Sequence, residues 1–109
     1  MTGSDAVVRL ATPEDASALV ELRAVMFEAM GTAPEDVADG AWRHAAHSWF
    51  VSAAGAAGVR IVVAEVGGRV VSGAVGEVTA LIPGPSTVNG MVGLVSNVAT
   101  LAPWRGRGL

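Results

Sequence analysis

The chain has 109 residues, 51% of them hydrophobic and 16% charged, with a formal net charge of −3. That length allows a single domain, the apolar share excludes intrinsic disorder, and the acidic balance argues against a general nucleic-acid binder. The absence of cysteine excludes disulfides, thiolate metal sites and a cysteine nucleophile, and makes the cytoplasm the expected location.

The opening MTGSDAVVRLATPED carries acidic residues and no apolar run, so it is not a secretory leader. Val7 to Ala11 is short and β-branched and predicts a strand. A helix is predicted directly after it, with Thr12 as N-cap, Pro13 at the first helical position, and Glu14 and Asp15 at the positive end of the dipole. Leu19, Leu22, Met26 and Met30 recur at helical spacing as its buried stripe, and Gly31 is its stop.

A second helix is expected from about Pro34 to Ala54, with Thr32 as the candidate cap and Trp42, Ala45, Ala46, Trp49 and Phe50 on one face. Gly40 weakens its first half. The run AAGAAG at Ala53 to Gly58 is a flexible exit. Two strands follow, Val59 to Val66 and Arg69 to about Leu81, joined by Gly67-Gly68 in the manner of a primed-turn hairpin. Ile61 and Val63 alternate with Val62, Ala64 and Val66, so the first of these strands expects cover on both faces. Residues 82–90 form a loop, and Met91 to about Thr100 make a last strand, interrupted at Gly93.

Val78 to Trp104 carries no formal charge, but Pro83, Gly84, Pro85, Ser86, Asn89 and Gly90 break it, so no membrane-spanning helix is expected. The order predicts an α/β layered (α+β) fold, β-α-α-β-β-β, with a mixed, mainly antiparallel sheet and two helices after the first strand. His44 and His47 lie three residues apart on a helix, but no obvious third ligand stands beside them, so no metal is expected.

The last stretch, ATLAPWRGRGL from Ala99 to Leu109, is the candidate anion site. Its glycines let backbone N–H groups converge on a phosphate and its two arginines add permanent charge. A basic tail that touches nucleic acid without specificity is the bland alternative.

In this order the residues resemble the N-terminal half of the GNAT superfamily of acyl-CoA-dependent N-acetyltransferases. The resemblance rests on VRLATPEDA, on VMFEAMG at the end of the first helix, on the hairpin AEVGGRVVSGAVG and on NVATLAPWRGRGL, and it spans essentially the whole chain. Arg105, Gly106, Arg107, Gly108 and Leu109 fill the family's RxxGxG/A signature up to, but not including, its last small residue.

The resemblance implies that acetyl-CoA is the co-substrate, with no metal. Backbone groups of Val98, Ala99 and Thr100 would pair with the pantetheine arm; the N–H groups of Gly106, Arg107, Gly108 and Leu109 would hold the pyrophosphate, with Arg105 opening the signature. It further implies that residues 1–109 are a partial domain, without the helix that follows the loop and without the C-terminal half, so robust transfer by this chain alone is not expected. The acceptor would be a small-molecule or peptide amine.

Direct attack of that amine on the thioester needs a base, a polarised carbonyl and an acid. The family's usual acid is a tyrosine of the C-terminal half, and this sequence contains no tyrosine. Glu77 is the first candidate for the base and Glu65 the second, while Asn97 is a candidate to position water. Met26, Phe27 and Met30 lie where family members line the acceptor pocket, although core packing is the commoner explanation for such a stripe. A non-catalytic remnant that binds CoA or pairs with another chain is the competing expectation. Self-association is expected from an apolar sheet face and an open last strand.

Overall fold

A computed structural model describes residues 6–80, 82–85 and 91–101. Strand β1, Val7–Leu10, leads through Thr12 into a 3-10 turn, Pro13–Asp15, which continues as helix α1, Ala16–Ala29. Asp15 does more here than face a helix dipole. Its carboxylate accepts the Thr12 backbone N–H at 2.8 Å and a two-pronged pair from Arg9, Nη1 to Oδ2 at 2.7 Å and Nη2 to Oδ1 at 2.9 Å. Arg9 Nε also donates to Glu65 Oε1 at 2.7 Å, on strand β2, Val59–Val66. One planar guanidinium therefore joins β1, β2 and the first helical turn, a task for which a lysine's point charge is unsuited. The Arg9 hydrogen bonds hold the Asp15 carboxyl below the ordinary range against the opposing effect of burial, and the two carboxylates push the Arg9 pKa up.

Helix α1 buries Ala16, Leu19, Val20 and Leu22 and ends as its sequence predicts. Gly31 takes φ +87°, its N–H donates to Glu28 O at 3.0 Å and the Thr32 N–H reaches back to Phe27 O at 3.0 Å, the paired bonds of a Schellman stop. The expected stripe is shorter than its spacing suggests, because Met30 lies at the helix end and is 70% exposed.

The second predicted helix is two. Helix α2, Pro34–Ala38, ends at Asp39, whose backbone is extended at φ −59° and ψ 124°, and helix α3, Gly40–Ala53, starts afresh. The Asp39 carboxylate accepts the Ala41 N–H at 3.0 Å, so the break is an N-cap written into the middle of a helical pattern, with Gly40 just inside it.

β2 turns through Gly67 and Gly68, both at positive φ (+58° and +82°), into strand β3, Arg69–Ala80, as a primed turn requires. Strand β4, Met91–Thr100, runs through Gly93 without interruption. The sheet order is β1-β2-β3-β4 and all three pairings are antiparallel. Register places Arg9, Val63 and Gly73 in one row and Ile61 with Val75 in another, all on the face that α1 and α3 cover. Gly73 is the point of closest approach: a Cβ there would stand 3.1 Å from Leu19 Cδ2 and 3.2 Å from Leu22 Cδ1.

The opposite face carries Val8, Leu10, Val62 and Val78, with Val8 68% and Leu10 58% exposed. Cover on both sides of β2 is thus found at Ala64 but not at Val62. Two bulges flank the middle of β3. Ala64 pairs with Ser72 while Glu65 pairs with Val70, leaving Val71 as the extra residue; Gly73 pairs with Ala99 while Val75 pairs with Ser96, so Asn97 and Val98 stand opposite Ala74 alone. Between them the buried Ser72 hydroxyl donates to Ala99 O at 3.1 Å. Its one proton being spent there, the Thr100 hydroxyl donates to Ser72 Oγ at 3.0 Å.

Replacing Asp15 by Asn should lower unfolding free energy at neutral pH by about 2 kcal/mol, the scale of a charge-assisted hydrogen bond. Because the folded-state pKa of Asp15 is depressed, its contribution is full above the unfolded value of about 4 and is lost as pH falls through the lower folded value. Urea titrations at pH 7 and pH 3 should therefore show a smaller pH difference for Asp15→Asn than for the parent. Ser72→Ala should cost about 1–2 kcal/mol by the same measurement, since it removes two part-buried hydrogen bonds at once.

Candidate active site

The length of α3, 14 residues or about four turns, sets the site. Trp42, Ala45, Ala46 and Trp49 fall at i, i+3, i+4 and i+7, one helical face. That face, with Phe50, forms one wall of a cleft of about 550 Å³; Arg23 and Phe27 of α1 form the other, and Glu77 of β3 completes the lining. Glu77 sits opposite Val59 on β2 and Leu94 on β4, on the helix-covered face of the sheet. It is the one carboxylate among the described lining residues.

The aromatic walls are held rather than loose. Trp42 Nε1 donates to the carbonyls of Asp36 at 2.9 Å and Val37 at 3.1 Å, which ties α3 back to α2 across the Asp39 break. Its ring meets Phe27 edge to face at a centroid distance of 5.4 Å and an interplanar angle of 80°. Trp49 and Phe50 repeat that arrangement at 5.4 Å and 80°. Guanidinium groups lie over two of these rings, Arg23 at 5.0 Å from the Phe27 centroid and Arg43 at 5.4 Å from that of Trp42. Arg43 is fixed in turn by Val37 O at 2.8 Å and Glu21 Oε1 at 2.7 Å.

Of the two carboxylates considered as a base, the structure separates one from the other. Glu77 lines the cleft, whereas Glu65 is bound to Arg9 at the other end of the helix-covered face. Phe27 is in the cleft wall, and Met30 points to solvent at the end of α1. His44 and His47 are both exposed on α3, and no group of three metal-binding side chains occurs among the described residues. Arg23 was not visible as a site residue in the sequence; nothing in its spacing sets it apart from any half-exposed arginine of a helix.

Val98, Ala99 and Thr100 occupy the end of β4, with Val98 in the bulge opposite Ala74 and Ala99 and Thr100 tied to Ser72. β4 is the last strand of the sheet, so its outer edge has no strand beside it among the described residues. Arg105, Gly106, Arg107, Gly108 and Leu109 lie outside the described residues. Ala74 and Glu77 are three residues apart on β3, about 10 Å along the strand, which puts the bulge and the carboxylate on neighbouring strands within the span of a small ligand.

No family model matches the sequence, and no curated protein matches it. Solved structures do. The chain is similar to a predicted acetyltransferase with acetyl-CoA from Clostridium acetobutylicum, with a TM-score of 0.80 and 20% identity over 96% of this chain and 66% of that one. It is also similar to a GCN5-related N-acetyltransferase from Ralstonia eutropha JMP134 (TM-score 0.79, 21% identity, 95% and 67%) and to glucosamine-6-phosphate N-acetyltransferase from Arabidopsis thaliana (0.67, 15%, 96% and 66%). The chain spans about two thirds of the length of these structures. At such identities the likeness is one of backbone architecture, and on it the chain has the fold of the GCN5-related N-acetyltransferase (GNAT) superfamily.

Proposed function

We propose that residues 1–109 supply the acetyl-CoA site and one side of the acceptor cleft of a cytoplasmic N-acetyltransferase domain, which moves an acetyl group from acetyl-CoA to the amine of a small molecule or peptide. The observation that carries this reading is the bulge at Asn97 and Val98, on the edge strand of the sheet and about 10 Å along the neighbouring strand from the carboxylate of Glu77.

A bulge leaves backbone groups out of the ladder, and an outer edge offers a row of N–H and C=O groups to an extended partner that carries its own amides. Val98, Ala99 and Thr100 therefore fit the pantetheine arm, and Ser72 fixes the strand end on which they sit. Arg105, Gly106, Arg107, Gly108 and Leu109 are assigned to the pyrophosphate on their sequence. Acetyl-CoA, when bound, supplies an activated thioester.

What this chain contributes on the acceptor side is the cleft. An ammonium must lose a proton before its nitrogen has a lone pair to offer, and Glu77 is the group there that can pair with the ammonium and take that proton directly or through water. The aromatic side chains place low-dielectric surface beside Glu77, which strengthens that pairing. Similarity to the glucosamine-6-phosphate enzyme supports a small-molecule acceptor.

Calorimetric titration of acetyl-CoA into the protein and into Gly108→Asp tests the loop. A carboxylate placed against the pyrophosphate should weaken binding at least tenfold, about 1.4 kcal/mol, and equal affinity for both proteins would remove the loop assignment. The exposed apolar face of β1 and β2 further supports self-association. Sedimentation velocity should show mass rising with concentration, and Leu10→Lys should lower it; a monodisperse monomer at all concentrations would count against this.

A further inference from the structure

We infer that the cleft selects acceptors whose amine is carried on a flat aromatic body, an inference that rests on the acetyl-transfer reading of the same site. The shape comes first. Trp42 and Trp49 are seven residues apart on α3, about 10 Å along its axis, and Ala45 and Ala46 between them contribute almost no bulk. That face is one wall of the cleft, with Phe27 and Arg23 on the other; the gap between them is a slot with flat aromatic and methyl surface along one side, and such a slot takes a planar ring better than a branched or puckered one. The volume of about 550 Å³ is that of a small-molecule site and leaves room for a ring together with the arm that carries the amine.

Charge then fixes which end of the ligand goes where. Aromatic walls can also bind an ammonium by its charge alone, as a cage does. Here that use is disfavoured, because Phe27 and Trp42 already each carry a guanidinium, Arg23 at 5.0 Å and Arg43 at 5.4 Å. A second cation against those rings meets like charge. The ammonium is directed to Glu77, and the body of the ligand is left to the indole of Trp49, which is 42% exposed, and to the methyl surface of the alanines. Trp42 presents only ring to the slot, since its N–H is already engaged by Asp36 and Val37. An aliphatic amine of equal length would satisfy Glu77 but lose the ring-on-ring contact.

The test is binding to the 109-residue protein without acetyl-CoA, followed by the indole N–H resonance of Trp49, assigned through Trp49→Phe. The probes are 2-phenylethylamine, hexylamine, hexyltrimethylammonium and 3-phenylpropanoate. 2-Phenylethylamine should bind at least fivefold tighter than hexylamine, and tighter than 3-phenylpropanoate, whose carboxylate cannot pair with Glu77. Trp49→Ala, followed by the Trp42 resonance, should cut 2-phenylethylamine affinity about tenfold and bring it level with hexylamine, while Trp49→Phe should restore the preference. Glu77→Gln should weaken both primary amines alike, by about tenfold.

Equal or tighter binding of hexylamine, tighter binding of hexyltrimethylammonium, or an aromatic preference that survives Trp49→Ala would overturn the inference. Acetyl-CoA affinity is measured separately on the same protein. Loss of that affinity with the aromatic preference intact would sink the acetyl-transfer reading, and retained acetyl-CoA affinity with no aromatic preference would sink this inference alone.

Discussion

The architecture depends on how near α1 can come to the sheet, and that distance is set at Gly73. No side chain stands between the helix and β3 there, so Leu19 and Leu22 settle to within 3.1 and 3.2 Å of where a Cβ would be. Burying two leucines against a bare strand is worth several kcal/mol, about 1.5–3 for each. Because α3 lies beside α1, the same contact fixes the height of the aromatic wall above Glu77. The helix-facing rows of β2 and β3, Ile61 with Val75 and Val63 with Gly73, complete the core on which the site rests.

Arg9 secures the other end of that core. It is half-exposed, yet it closes a polar seam where β1, β2 and the turn before α1 meet. Without it the carboxylates of Asp15 and Glu65 would face each other across a partly buried gap. The price of this arrangement is that Glu65 is committed to structure, while Glu77, on the next strand and toward the other end of the same helix-covered face, is the carboxylate that lines the cleft. One arginine thus sets the structural carboxylate apart from the one in the cleft.

Local rules made most of the elements legible. Periodicity, caps and the Gly67-Gly68 turn placed β1, α1, the β2–β3 hairpin and β4 close to where they occur, because each is decided by neighbours in sequence. The break at Asp39 was not legible: Gly40 weakened the helix on paper, but only the Asp39 carboxylate reaching Ala41 shows that the chain restarts there. Nor was the role of Arg9, which bonds Asp15 six residues on and Glu65 56 residues on. For the site, the Trp42, Ala45, Ala46, Trp49 stripe was visible as a face, but what it faces depends on a strand that pairs long after it. The bulge on β4 leaves no mark in a sequence of small and β-branched residues, because it is a count of residues against a partner strand.

The two bulges on either side of Ser72 and Gly73 have a mechanical meaning. Past the β4 bulge the end of β4 is joined to β3 by the rungs Gly73 with Ala99 and Ser72 with Thr100, and the Leu101 N–H carries the pairing on to Val71 O at 2.9 Å. Each irregularity adds local twist, so the direction in which the strand end points is set locally as well as by the whole sheet. Aim is thereby decoupled from support. A change at Ala74, half-buried opposite the β4 bulge, would re-point the strand edge while leaving Leu19, Val63 and Val75 packed as they are, a freedom that the fully buried Val71 does not share.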